Sequence, residues 1–229
     1  MKNNLQAFQA FQVFMNYPYD EDFEPLSNAI HFAVIAAGLI PVCAKDLSMP
    51  DKSRLDNLIE AITNCNYSIH DFSKSKGEGS DNFARFNMPL EMGMAVFHAL
   101  YTQRIKHRCA FFVSTPHDYQ KFASDLSGLD PICHNNNEIT LLTETYEWLR
   151  KINPPLFSNL AITVVRDKYL SFKEELNNIV GSSSINTPTH DEIQELMYCI
   201  CSKEKWWGWR DSPVGLLEFP VLPLTYKTK

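Results

Sequence analysis

Along the first two thirds of the chain, short apolar runs alternate with stretches in which apolar residues return every three or four positions. That is the pattern of strands alternating with amphipathic helices. FQVFMNY (Phe11 to Tyr17) is a β-rich run ending in the turn residues of PYDED. EPLSNAIHFAVIAAG then repeats apolar residues at helical spacing until Gly38 stops it. LIPVCA is a second short run, and SRLDNLIEAITNC a second helix with Leu55, Leu58, Ile59 and Ile62 on one stripe. The strand YSIHDFS follows, then the polar loop KSKGEGSDNFARF, a helix from Met88, the strand CAFFVST, a loop and short helix through DYQKFASDLSGLD, a weak strand at PICH and the helix EITLLTETYEWLRKI. Five strands separated by helices predict an open parallel α/β sheet with helices on both faces.

The paired prolines of INPPLFSNL end this pattern and set a boundary, with an α/β domain over residues 1–153 and a mostly helical appendage over 154–229. In the appendage FKEELNNIV reads as helix, GSSSINTPT as a hinge, and HDEIQELMYCICSKEKWW as a second helix with a polar cap. It closes with Trp206, Trp207, Trp209 and Arg210, residue types that either anchor a small element by packing or dock a protein partner. With too little core to fold alone, this segment is expected to dock on the sheet domain or on a partner, so that a chain ending near Lys151 keeps a folded α/β core.

Composition narrows the function classes. The 229 residues are 45% hydrophobic and 21% charged, with a net charge of -6, which argues against a general nucleic-acid binder. The six cysteines (Cys43, Cys65, Cys109, Cys133, Cys199, Cys201) form no CxxC pair and lack the His spacing of a zinc site; they read as reduced core residues, with no metal. The N-terminus has too many Asn and Gln for a signal-peptide core, and no run approaches the ~18 apolar residues that span a bilayer. These features predict a cytoplasmic protein without membrane contact.

In an open α/β sheet, ligands bind beyond the carboxyl ends of the strands where strand order reverses, which for the order 2-1-3-4-5 lies between the first and third strands. The first strand exits into Asn16, Tyr17, Tyr19 and Asp20, and the third into His70, Asp71 and Ser73, so these groups are expected to share one crevice. Glu91 is expected to join them. Its helix opens with Asn87 as cap and Pro89 in the first turn, over a core stripe of Met88, Met92, Ala95, Val96, Ala99 and Leu100. The helix dipole alone favours an acid in a first turn, by about 0.3–1 kcal/mol. Gly93 points further: it costs roughly 1 kcal/mol in a helix interior, as though something approaches the backbone there.

The order FMNYPYDEDFEPL, YSIHDFS, ARFNMPLEMGMA resembles the nucleoside 2-deoxyribosyltransferase-like and TIR-like group over roughly residues 10–150. The resemblance implies a flavodoxin-like sheet and cleavage of the N-glycosidic bond of NAD or a nucleoside or nucleotide, as substrate rather than cofactor. Glu91, Gly93 and Ala95 match the E-x-G-x-A helix that carries the family's nucleophilic glutamate. A carboxylate suits that work because the departing base leaves an oxocarbenium-like sugar, which a nearby anion stabilises or traps; Asp71 would orient a sugar hydroxyl or the base. ARFNMP offers Arg85 and Asn87 where the transferases carry an Asp-Gly element, leaving transfer, hydrolysis and a non-catalytic nucleotide-sensing or protein-interaction module open. The TIR-like comparison also implies a regulated effector, of the antiviral-defense kind, with the core held inactive or assembled by a protein partner or a second copy.

The remaining residues are two-sided. Tyr17 and Tyr19 either stack on a base or pack. Arg85 pairs with a phosphate or lies in an exposed loop. Ser73, beside Asp71, belongs to the substrate-binding set, whereas His70 points to the opposite sheet face and reads as packed. Ser114 and His117 exit the fourth strand, and His134 lies on the far side of the crevice.

Overall fold

The computed structural model describes residues 11–44, 51–74, 86–101, 107–121, 130–152, 154, 157–182 and 187–202. Arg85 and the tryptophan-rich tail lie outside the described residues. Five parallel strands, β1 (Gln12–Asn16), β2 (Ile40–Cys43), β3 (Tyr67–Asp71), β4 (Arg108–Val113) and β5 (Ile132–Cys133), form one sheet in the order β2-β1-β3-β4-β5. This is the open parallel sheet the alternating pattern predicts, in the flavodoxin-like order. Register pairs Asn16 with His70 across the β1–β3 seam.

Helices α1 (Glu24–Ala36) and α4 (Glu138–Ile152) cover one face, and α2 (Arg54–Asn64) and α3 (Asn87–Tyr101) the other. Strand alternation sorts the core. Val13, Met15 and Ile69 face α1 and α4, whereas Phe14 faces Leu58, Ile62 and Ala95. Local chemistry fixes the helix ends. Gly38 takes φ 81° after α1, and the N–H groups of Gly38 and Leu39 return to the carbonyls of Ile35 and Val34 at 2.9 and 3.1 Å, a Schellman ending. The Ser53 side chain caps α2 by accepting from the Asp56 N–H at 3.1 Å.

Two stripes are narrower than their periodicity implies. On α2, Leu58 and Ile62 are buried, but Leu55 and Ile59 are exposed. On α3, Met88, Met92 and Ala95 are buried, while Leu100 is exposed along with Phe86, Leu90 and Phe97. The helix also begins one residue early, since the Phe86 carbonyl accepts from the Leu90 N–H; Asn87 is therefore the first helical residue rather than the cap.

Beyond α4 come α5 (Ile162–Ser182), longer than FKEELNNIV alone implies, and α6 (His190–Ser202). A capping box opens α6: the Glu192 carboxylate accepts from the Thr189 N–H at 2.7 Å, and the Thr189 hydroxyl accepts from the Glu192 N–H at 3.3 Å. These helices share the α1 core. Val165, Tyr169, Phe172, Met197 and Cys201 are all buried in it, and the rings of Tyr169 and Phe172 lie 5.4 and 5.6 Å from that of Phe32 on α1. The connecting segment is pinned as well. The Tyr146 hydroxyl donates to the Ser158 carbonyl and accepts from the Leu160 N–H at 2.9 Å, and the Ser158 N–H reaches the Ala37 carbonyl at 3.1 Å.

This packing makes α1 a helix covered on both sides, with Ala29 to Ala37 buried without interruption. Replacing Phe172 by Ala is expected to lower unfolding stability by about 3–5 kcal/mol, as read from denaturant midpoints. Contrary to the expectation that a chain ending near Lys151 keeps a folded core, ending it there strips the Tyr169 and Phe172 rings from Phe32, and the cooperative transition should weaken or vanish. A Phe172→Ala midpoint equal to that of the full chain would show that α5 is not part of the core.

Candidate functional site

The two carboxylates expected in one crevice lie on opposite faces of the sheet. Asp71 is an odd-numbered β3 residue and follows Ile69 toward α1 and α4, whereas Glu91 comes from α3 on the other face. Asp71 is fully buried: it accepts the Ser73 N–H at 2.8 Å and lies 3.1 Å from His134 Nε2. The pairing of Asp71 with Glu91 is thereby corrected by the period-two alternation of β3.

The contact of Ser73 Oγ with His134 Nε2, at 2.8 Å, puts Ser, His and Asp together, yet the proton positions exclude a nucleophilic triad. The Asn136 N–H points at His134 Nδ1 at 3.2 Å, so Nδ1 accepts and Nε2 carries the proton. A ring that donates from the nitrogen facing Ser73 cannot take its proton. His134 instead braces the strand ends from below.

On the α3 face, a buried hydrogen-bond chain runs from the carboxyl end of β1 along β3 to the amino ends of β3 and β4. The Met88 carbonyl can only accept, which orients the Asn16 amide: Nδ2 donates to it at 2.8 Å and to His70 Nδ1 at 3.1 Å. His70 Nε2 then donates to Ser68 Oγ at 2.9 Å, and Ser68 faces His107 Nε2 at 2.8 Å. His107 Nδ1 donates in turn to the Cys65 carbonyl at 2.8 Å. Each ring has one donor and one acceptor role, which only neutral imidazoles satisfy. Burial pushes His70 down to about 3, helped by His107; burial likewise takes His107 down to about 4, against the Cys65 carbonyl, which favours the protonated ring. Asn16 is therefore a tether from β1 to the first turn of α3. His70 is packed, as expected, on the face opposite Asp71.

One turn after Met88 stands Glu91. It is 6% exposed and has no hydrogen bond or ion pair among the described residues. Burial raises its carboxyl from the ordinary 4.5 to about 7, with the Arg54 guanidinium pulling weakly the other way.

The principal cleft, about 790 Å³, opens over the carboxyl ends of the strands. Ser73 and Lys74 enter it after β3, Ser114 after β4, and Asn136 and Asn137 after β5. Asp22 and Phe23 come from the loop after β1, Glu138 from α4 and Lys173 from α5. Its cations are already matched: Lys74 lies 2.6 Å from Asp22 and 3.8 Å from Asp20, and Lys173 pairs with Glu138. The wall thus presents hydroxyls, amides and neutralised charge.

Of the residues expected there, Ser73 lines the cleft, and Asp20 meets Lys74 at its edge. Tyr17 does not reach it: the ring is buried, stacked on Phe23 and edge-on to Tyr19 and His31, with its hydroxyl 2.8 Å from His31 Nε2. Tyr19 is partly exposed and accepts the Ala44 N–H at 3.0 Å, bridging to the end of β2. Asn87 is exposed on the first turn of α3. His117 is exposed in a left-handed turn, φ 64°. Sequence reasoning passed over Asn136 and Asn137; the Asn run after a weak strand was a usable turn signal, and Asn135 and Asn136 take φ 52° and 54°. Nothing local marks Lys173.

Gly93 requires a further correction. A Cβ built there meets nothing within 4 Å, and the residue lies on the exposed side of α3, so no close approach by a described residue explains it. Gly93→Ala is expected to raise stability by up to about 1 kcal/mol, measured by urea unfolding. Glu91 makes a pH-dependent prediction. Its folded pKa lies above the unfolded one, so the folded state holds the proton more tightly, and stability is lost as pH rises from about 4.5 to about 7. At 1.36 kcal/mol per pH unit, Glu91→Gln should gain about 3 kcal/mol relative to the parent across that window. Equal stability differences at pH 4 and pH 8 would refute the buried-carboxyl picture.

Comparison with protein-family models finds no match, and comparison with curated proteins likewise finds none.

Proposed function

We propose that the chain cleaves the N-glycosidic bond of a nucleoside, a nucleotide or NAD, with Glu91 as the carboxyl acting at the sugar. The observation carrying this reading is a carboxyl beside the β1–β3 strand ends that is buried, lacks a hydrogen-bond partner among the described residues and is raised to about 7. Burial disfavours the charged form of such a group, and a charge that develops only during reaction gives it a role. In the proposed step the C–N bond breaks with its electron pair passing to the base; a nucleoside's base takes up the proton that the attacking water releases, whereas nicotinamide leaves NAD neutral and that proton passes to solvent. The Glu91 carboxylate stabilises or traps the oxocarbenium-like sugar, and a water oxygen then bonds to the anomeric carbon.

The cleft favours an uncharged, polyhydroxylated portion of such a ligand. Ser73, Ser114, Asn136 and Asn137 supply donors and acceptors for ribose hydroxyls, while both lysines are held by carboxylates and offer little to a polyphosphate. A second reading draws on the same geometry. Glu91 is not among the described residues that line the cleft, which favours a sensing module that binds a nucleoside there without turning it over.

Incubating the full chain with NAD and a nucleoside panel, while following release of nicotinamide or free base, separates the two. Turnover should rise with pH through about 7 as Glu91 ionises, and Glu91→Gln should lower it by about 10²–10⁴-fold with ligand affinity unchanged. Absence of turnover across the panel, with a nucleoside-dependent rise in melting temperature, would replace catalysis by sensing.

A further inference from the structure

Outside the cleft, one cluster brings together three good metal ligands from distant parts of the chain. His31 lies in the middle of α1, Cys43 ends β2 and His190 begins α6. Their ligand atoms all lie within 4.8 Å of one another. Cys43 Sγ and His190 Nε2 are 3.6 Å apart, and the imidazoles of His31 and His190 meet edge-on with centroids 5.0 Å apart.

We propose that His31, Cys43 and His190 form a zinc site that clamps α6 onto α1 and the end of β2. Metric fit supports it. With Zn–S near ~2.3 Å and Zn–N near ~2.0–2.1 Å, a tetrahedral ion holds a thiolate and an imidazole nitrogen about 3.6 Å apart, which is the Cys43–His190 separation. The wider limit of 4.8 Å for the set closes to this spacing with side-chain movements of about 1 Å. Donor type fits as well: one thiolate with two imidazoles selects a borderline-soft ion over magnesium or calcium.

The surroundings are those of a held site. His31 and Cys43 are buried, and the Tyr17 hydroxyl, 2.8 Å from His31 Nε2, fixes that ring as outer partners of metal-bound imidazoles do. His190 is partly exposed and gives the ion a way in. The Gln194 amide nitrogen, 2.7 Å from His190 Nε2, donates to that nitrogen and would give way to the ion. Zinc binding displaces the Cys43 thiol proton and leaves the oxidation state of sulfur and metal unchanged. The consequence is mechanical. The clamp joins residues 147 apart in sequence, so loaded metal ties the C-terminal helix to the sheet.

The test uses the full chain. Purified from zinc-supplemented medium, it should carry about one zinc per molecule by elemental analysis; Cys43→Ser and His190→Ala should each remove it, while Cys201→Ser should not. Titration of metal-stripped parent with Co2+ keeps the test independent of how the variants fold. Tetrahedral d–d bands with a thiolate-to-cobalt charge-transfer band, saturating near one equivalent and abolished by Zn2+, are expected. Chelation should lower the melting temperature of the loaded protein. Zinc retained unchanged by Cys43→Ser, or cobalt spectra without a thiolate band, would overturn the proposal, leaving the cluster as buried thiol–imidazole hydrogen bonding.

Discussion

Two hydrogen bonds from one amide position the top of this molecule. Asn16 Nδ2 donates to the Met88 carbonyl and to His70 Nδ1, tying the end of β1 to the first turn of α3 and to the neighbouring strand. Everything the α3 helix carries at its N-terminal end inherits that register, Glu91 above all. The geometry holds only while His70 is neutral, because a protonated Nδ1 would turn an acceptor toward Asn16 into a second donor. Burial keeps the ring neutral, and the relay through Ser68 and His107 ends on a backbone carbonyl, so no member is left unpaired.

The opposite face is organised by bulk. Helix α1 is apolar almost all round and is buried between the sheet and the C-terminal helices, as an all-round apolar helix must be. The carboxylate of Glu138, at the start of α4, extends this layer to the cleft: it accepts from the Tyr169 hydroxyl at 3.1 Å and pairs with Lys173. The same helix that fills the core with Tyr169 and Phe172 thus supplies a wall of the cleft. Removing α5 would change both.

What was legible in the sequence was what depends on local period and local stops. The five strands, the Gly38 ending and the polar cap of α6 are each signalled within a few residues, whereas the strand order was taken from the flavodoxin-like fold and not from the pattern itself. What was missed depends on three-dimensional parity and on distant partners. Asp71 and Glu91 looked convergent because both sit near strand ends, but one step along a strand reverses a side chain's face. Tyr17 looked available because an exit tyrosine is ambiguous until its neighbours are known, and here Phe23, Tyr19 and His31 enclose it. Gly93 was given a ligand-side reason although its Cβ position faces open space. No regular spacing could group residues 31, 43 and 190, since a metal-ligand motif is visible in sequence only when its ligands share a turn or helix.

The cleft and the start of α6 are physically continuous through Tyr17. Phe23 lines the cleft and stacks on the Tyr17 ring at 6.1 Å between centroids; the Tyr17 hydroxyl holds His31, and His31 meets His190 on α6. Packed aromatic rings shift together or not at all, because the interior leaves them little free volume. A change in how α6 sits therefore reaches the cleft wall through two ring contacts and one hydrogen bond, without passing through the sheet. The cleft wall is thus joined to α6 by this route, whereas Glu91 stands on α3 at the other face of the sheet.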